Sequence, residues 1–195
     1  MRVVPTALPE VLLIESDVHR DVRGFFVETY HLEKFRSLGI ADTFVQDNHS
    51  QSIANTVRGL HLQVGDRKAQ SKLVRVIDGE IVDVCVDVRR GSPSFGRSVI
   101  VVLSAENFRQ CYIPAGFAHG FAVVSRTAQV EYKCSAPYDP SAEVGIAWDD
   151  PQLAIEWPLS APIVSERDRQ NPLLADVMSR LPVFEPDRRP APRNL

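Results

Sequence analysis

Two short stretches concentrate side chains able to move protons or grip anions: Arg58-Gly59-Leu60-His61-Leu62-Gln63 and Pro114-Ala115-Gly116-Phe117-Ala118-His119-Gly120. Imidazole is the side chain that changes charge nearest neutral pH, so His61 is a candidate base. His119 reads either as a ligand contact or as a hydrogen-bonded structural histidine. No glutamate follows His61 closely, and two histidines without a carboxylate make a poor metal site, so no metal is expected. Asp83 could support His61 from inside the fold, or sit on a solvated strand face. Ser165-Glu166-Arg167-Asp168 fits S-x-x-D, the pattern of a helix start.

The elements that must position these residues are mostly strands. In Ile81 to Val88, Val82, Val84, Val86 and Val88 face one way and Ile81, Asp83, Cys85 and Asp87 the other. Arg90-Gly91-Ser92-Pro93 supplies turn chemistry after that strand. Ser98 to Leu103 is a β-branched run, Cys111-Tyr112-Ile113 stops at Pro114, and Phe121 to Val124 and Gln129 to Lys133 complete the set. Two helices are expected. One is His31 to Leu38, closed by Gly39, and the other is Pro172 to Arg180, with Asn171 as its N-cap. Short strands, Gly/Pro turns and little helix predict an all-β sandwich or barrel, with a jelly roll first.

The chain has 195 residues, enough for one domain with a sizeable core. We place that single domain at residues 1–180, followed by a Pro/Arg-rich extension at 181–195. Pro182, Pro186, Pro190 and Pro192 with Arg188, Arg189 and Arg193 predict a loose tail. A net charge of −3 leaves no basic footprint for nucleic acid or a membrane surface. Met1 to Glu10 resembles neither a signal peptide nor an anchor. Three cysteines without C-x-x-C spacing suit a reducing cytoplasm rather than a disulfide framework. No G-x-G-x-x-G fingerprint is present, and no cofactor is expected.

Pro114 to His119 contains P-x-G-x-x-H, which resembles the second half of the cupin signature. The first half of that signature, H-x-H, reads His61-Leu62-Gln63 here. A more specific resemblance runs from about Val4 to Leu174. It rests on Asp21-Val22-Arg23-Gly24-Phe25-Phe26-Val27-Glu28, Phe44-Val45-Gln46-Asp47-Asn48-His49-Ser50, Arg58-Gly59-Leu60-His61, Lys72-Leu73-Val74-Arg75, Ile113 to Phe121, Glu131-Tyr132-Lys133 and Ser165-Glu166-Arg167-Asp168. In order and spacing these segments resemble the dTDP-4-dehydrorhamnose 3,5-epimerase family. The resemblance implies a cupin-type jelly-roll β-barrel with a few short peripheral helices. It also implies inversion of a dTDP-4-keto-6-deoxy sugar at C3 and C5 through an enolate.

Such a reaction needs a base on one face of the sugar, an acid on the other, and a cation at the C4 oxygen. The resemblance assigns His61 as base, Asp168 as the carboxylate that fixes it, Tyr132 as acid and Lys72 as the cation. It places Arg23, Phe26, Glu28, Gln46, Asp47, Asn48, Arg58, Tyr138, Glu143 and Arg167 with Lys72 and His119 around the nucleotide sugar. Taken singly, Asp168 reads as a helix cap, Tyr132 as a core aromatic and Lys72 as a surface lysine. Pro137 before Tyr138, Leu62 after His61 and Arg167 depart from the family pattern. The resemblance further implies a homodimer that exchanges an N-terminal strand near Arg2 to Leu8. Alternatives are a C3-only or C5-only epimerase, a non-catalytic nucleotide-sugar binding module, and a metal-dependent cupin.

Overall fold

The computed structural model describes residues 1–186. In chain order the first elements are β1 (Arg2–Val4), β2 (Leu12–Glu15), β3 (Val18–Asp21), β4 (Gly24–Val27), α1 (Leu32–Ser37), β5 (Gln46–Ile53), β6 (Thr56–Gln63) and β7 (Lys72–Asp78). They are followed by β8 (Glu80–Asp87), β9 (Ser98–Ser104), β10 (Arg109–Ile113), β11 (Phe117–Val123), β12 (Thr127–Cys134), β13 (Glu143–Gly145), β14 (Ile163–Val164), α2 (Glu166–Arg169) and α3 (Leu174–Val177). One sheet runs β1-β2-β10-β7-β12-β5 and the other β13-β6-β11-β8-β9, with β14 joining β6 in parallel. The two sheets face each other as a jelly-roll sandwich. They do not join into a closed barrel, so the expected barrel is an open one.

Both faces of β8 are covered. Ile81 and Cys85 point into the core between the sheets, packed with Val74, Cys111, Ile113 and Phe121. Val84, Val86 and Val88 point outward beneath Leu153, Leu174, Val177 and Leu181. The period-two alternation therefore separates two apolar layers, and Asp83 is fully buried rather than on a solvated face. The outer face of the first sheet is closed by α1, whose Phe35 packs on Ile14, Leu73 and Tyr112. α1 ends at Gly39, where φ is +93°.

The second expected helix is shorter than its sequence pattern. It forms as α3 and continues as a 3-10 turn over Met178–Arg180. Asn171 is not its cap. The first-turn amide of Leu174 donates to Asp150 Oδ2 at 2.6 Å, so a buried carboxylate from elsewhere in the chain supplies the cap. Asn171 is instead packed so closely over Gly145 that a Cβ there would lie 2.1 Å from its Oδ1.

The start of the Pro/Arg-rich segment also stays on the domain. Leu181 is buried, and Val183 bridges Arg90, whose carbonyl accepts from the Phe184 amide at 2.9 Å. The rest of the expected extension, 187–195, lies outside the described residues. At the other end, Arg2–Val4 is not an unpaired strand. It pairs with β2 of its own chain, Arg2 opposite Glu15, and an Arg2–Glu15 ion pair of 2.6 Å reinforces the register.

One close backbone crossing sets the geometry of the functional end. β6 and β11 pair so that His61 lies opposite His119, with a register shift between His119 and Phe121. At that crossing a Cβ on Gly59 would lie 2.6 Å from Gly120 Cα, and one on Gly120 would lie 2.7 Å from the Arg58 carbonyl oxygen. Neither position has room for a side chain, and Gly59 also has φ of +122°. Among the described residues no helix is long and apolar enough to cross a membrane.

Candidate active site

A cavity of about 630 Å³ opens between the two sheets at one end of the sandwich. Strand alternation decides what lines it. On β5 the alternate residues Gln46, Asn48 and Ser50 face the cavity, and on β12 Tyr132 and Cys134 do the same. The register puts Asn48 opposite Tyr132 and Gln46 opposite Cys134, while Cys134 pairs across its other edge with Lys72 of β7. One wall thus presents a phenol, an ammonium and two amides. The facing wall comes from the other sheet, with His61 and Gln63 on β6, His119 on β11 and Glu143 on β13.

His61 is held by a carboxylate 107 positions later in the chain. Its Nε2 lies 2.7 Å from Asp168 Oδ1, and the amide of Gly59 donates to Asp168 Oδ2 at 3.2 Å. A carboxylate on Nε2 places that nitrogen's proton in the bond and leaves Nδ1 as the nitrogen able to accept another. Asp168 is only 4% exposed. Burial pushes its carboxyl upward, but the hydrogen bond and charge of His61, the Gly59 amide and nearby Arg167 outweigh that, and the net direction is down. The S-x-x-D pattern does start α2, but the capping oxygen is that of Ser165, which accepts from the Asp168 amide at 3.1 Å. The Asp168 side chain is left for His61, so motif and site coexist.

The opposite wall is tuned by desolvation. Burial lowers the pKa of Lys72, countered by the Cys134 thiol, Glu143, Asp83 and Cys85. No ion pair or hydrogen bond to a described residue ties its ammonium down. Burial raises the Tyr132 phenol, with Cys134, Glu143 and Tyr138 adding to the effect and Arg58 opposing it. Tyr132 therefore holds its proton through neutral pH.

At the rim, Tyr138 Oη donates to Glu143 Oε2 at 2.6 Å, and Arg167 pairs with the same oxygen. Burial raises the Glu143 carboxyl, but its bonds to Tyr138 and Arg167 bring it below the ordinary range. The Tyr138 amide donates to Gln46 Oε1 at 2.8 Å, and Gln46 Nε2 donates to Asn48 Oδ1 at 3.0 Å. These bonds tie the segment after Pro137 to the first wall. Arg58 is exposed at the mouth, its Nε bonded to Ser52 Oγ at 2.9 Å. Leu62 borders the cavity and packs in the outer core with Val84, Val86 and Leu153. His119 bonds Asp83 Oδ1 through Nε2 at 2.7 Å, so Asp83 supports His119 rather than His61.

Four expected site residues are not brought to this cavity. Asp47 alternates away from Gln46 and Asn48 and binds Lys133 Nζ on the outer face at 2.9 Å. Arg23, Phe26 and Glu28 lie on or beside the β3–β4 hairpin. Phe26 and Glu28 border a separate hollow with Met1, His19 and Lys34. Sequence reading missed Ser50, Gln63, Gln70 and Cys134, which line the cavity. Ser50 and Cys134 follow from counting two residues on from Asn48 and Tyr132. The Ser50 hydroxyl is buried with no hydrogen-bond partner among the described residues, a polar group left for a ligand.

The family model described as dTDP-4-dehydrorhamnose 3,5-epimerase matches residues 5–176. A Pseudomonas aeruginosa protein of that name is 51% identical over 178 residues, spanning 90% of this chain and 97% of its own. A Salmonella typhimurium protein of the same name is 52% identical over 176 residues, 89% of this chain and 96% of its own. Among solved structures, the Legionella pneumophila dTDP-6-deoxy-D-glucose-3,5-epimerase in complex with dTDP-4-keto-L-rhamnose superposes with a TM-score of 0.90. It is 45% identical and covers 94% of this chain and 98% of its own. Fold, cavity and sequence agree: the chain belongs to the dTDP-4-dehydrorhamnose 3,5-epimerase family.

Proposed function

We propose that this chain inverts C3 and C5 of dTDP-4-dehydro-6-deoxy-D-glucose, giving dTDP-4-dehydro-L-rhamnose for deoxysugar synthesis. The observation that carries this reading is the division of labour between the walls. A His61–Asp168 pair stands on one, and Tyr132 and Lys72 stand on the other side of the same cavity.

His61 Nδ1 takes the proton from the carbon beside the ketone, and the electron pair moves into the C4 carbonyl to form the enolate. Asp168 stabilises the resulting imidazolium. The Lys72 ammonium, poorly solvated, faces the enolate oxygen where its charge counts for more than in water. Tyr132 then donates its proton to the opposite face of the carbon, which is what inverts it. Solvent returns each residue to its starting state, and the same cycle serves both carbons because both flank C4. No cofactor enters these steps.

Arg58 and Arg167 suit the diphosphate, since guanidinium grips phosphate oxygens bidentately. Gln46, Asn48, Ser50 and Tyr138 offer donors and an aromatic face to the thymidine, and His119 and Glu143 offer contacts near the sugar. Arg23, Phe26 and Glu28 then belong to the site of a second copy. Val22, Phe25 and Phe26 are 104%, 58% and 69% exposed at the hairpin, an apolar tip suited to burial against a partner. The protein acts in this reading as a homodimer. The three free, buried thiols suit a reducing cytoplasm.

Proton NMR of the reaction with dTDP-4-dehydro-6-deoxy-D-glucose is expected to show a product inverted at both C3 and C5. His61→Ala and Asp168→Asn each lower kcat by roughly 10²–10⁴. A product inverted at one carbon restricts the activity to that carbon, and tight binding without turnover leaves a nucleotide-sugar binding module.

The pH dependence follows from Lys72. A lysine acts here only while protonated, so activity falls as pH rises, and its lowered pKa brings that loss to a lower pH than for an exposed lysine. Lys72→Arg, whose guanidinium stays charged, is expected to move the alkaline limb of kcat/KM upward, and an unmoved limb assigns it to another group.

The shared site is tested by complementation. Arg23→Ala and Lys72→Met homodimers are each impaired, but after mixing and exchange about half the dimers are mixed and carry one intact site, recovering about a quarter of wild-type activity. Absence of recovery, with subunit exchange verified, places Arg23 outside the partner's site.

A further inference from the structure

Gln63 stands two residues beyond His61 on β6, in the place that the second histidine of an H-x-H pair would take. It lines the cavity yet is 3% exposed, and its side-chain amide is bonded at both ends. Nε2 donates to the Pro137 carbonyl at 3.0 Å and to the Lys68 carbonyl. Oε1 accepts from the Asp139 amide at 2.8 Å. Both amide hydrogens are therefore spent, and the oxygen holds a partner of its own.

These partners frame one ring. Pro137 and Asp139 flank Tyr138, so a single side chain fixes the backbone immediately before and after it. Pro137 has no N–H, and its carbonyl is the polar group it can contribute. The Tyr138 side chain is 50% exposed, anchored otherwise by its amide's bond to Gln46 and its hydroxyl's bond to Glu143. Lys68, the third partner, belongs to the other rim segment, 65–70. Its ammonium reaches across the rim to Asp139 at 2.6 Å and to Ser141 Oγ at 3.3 Å. Gln70 Nε2 adds a bond to the Ala136 carbonyl at 2.8 Å. The Lys68–Asp139 pair is partly exposed and screened by solvent, so the buried amide of Gln63 carries most of this clasp.

We propose that Gln63 is a positioning residue for the nucleotide half of the substrate, clasping the two rim loops and pinning Tyr138 at a fixed reach from His61. The inference rests on the proposed function, in which Tyr138 offers its aromatic face to the thymidine. Alternation puts His61 and Gln63 on the same face of β6, about 7 Å apart along the strand. The strand that presents the base to the sugar thus also sets where the ring over the nucleotide lies. An amide suits the place because it must donate twice and accept once. A glutamate would set a carboxylate against the Pro137 and Lys68 carbonyl oxygens, and a neutral histidine offers one donor where two are used.

The test is calorimetric titration of the full chain with dTDP, with hydrogen exchange of the unliganded protein reporting on the loops. Gln63→Leu is expected to weaken dTDP binding roughly tenfold and to speed exchange at the Asp139 amide and through 65–70. Gln63→Glu keeps the size and the acceptor oxygen and is expected to weaken binding at least as much, a second reading that does not depend on tolerance of a leucine. In turnover, the rise in KM exceeds the fall in kcat for both variants. In a Tyr138→Ala background Gln63→Leu is expected to cost about twofold or less, because its effect runs through the ring. An equal tenfold loss in both backgrounds overturns the proposal, as does unaltered dTDP affinity in a folded Gln63 variant. Faster exchange throughout β6, β8 and β11 shows a general loss of structure and also overturns it. Failure of the wild-type chain to bind dTDP overturns the proposed function and this inference together, whereas wild-type binding with any of the preceding contrary results overturns this inference alone.

Discussion

The functional end of this molecule depends on a 2.7 Å hydrogen bond between His61 and Asp168. It joins residues 107 positions apart, so the fold must close before His61 is set. Asp168 reaches it because Ser165 starts α2 at the end of β14, which itself pairs in parallel with β6. The same carboxylate accepts the Gly59 amide, fixing the strand that carries His61. Gly59 and Gly120 allow β6 and β11 to cross at near contact, so that His61 and His119 stand side by side. A side chain at either glycine would push apart the strands that hold the two imidazoles.

Facing that wall, burial acts in opposite senses on two neighbours, and both senses serve the proposed chemistry. It weakens the hold of Lys72 on its proton and strengthens that of Tyr132. A poorly solvated ammonium is a strong partner for a developing enolate, and a phenol that keeps its proton is an acid ready to deliver it. In the proposed reaction the two sheets thus provide what one sheet cannot, reactive groups on both faces of a flat intermediate. The interior below holds one fully buried carboxylate, Asp83, which His119 satisfies from the cavity side.

Much of this was legible in the sequence. Turn residues and strand alternation indicated the all-β class, and the resemblance located His61, Lys72, Tyr132 and Asp168, which the fold brings to one cavity. What failed did so for local physical reasons. Asp83 looked like a solvated strand residue because alternation reports two faces without saying that both are covered. Asp47 sits in a run of polar residues, but period two turns it away from its neighbours. Asn171 and Pro172 looked like a helix start, but Asp150 supplies the cap from a distant segment. Leu181 looked like the beginning of a tail because its role is a tertiary contact with β8 and α3. Arg23, Phe26 and Glu28 lie on or beside the β3–β4 hairpin, away from the cavity of their own chain, a separation that strand alternation does not reveal.

The central claim is that removal and return of the proton occur from opposite walls. Tyr132→Phe in deuterium oxide, followed by proton NMR of both substrate and product, tests it most directly. If the claim holds, His61 still exchanges the proton on its own face, and recovered substrate gains deuterium beside the ketone with unchanged stereochemistry while inverted product nearly disappears. Inverted product at the wild-type rate, or loss of exchange in step with loss of product, would contradict it.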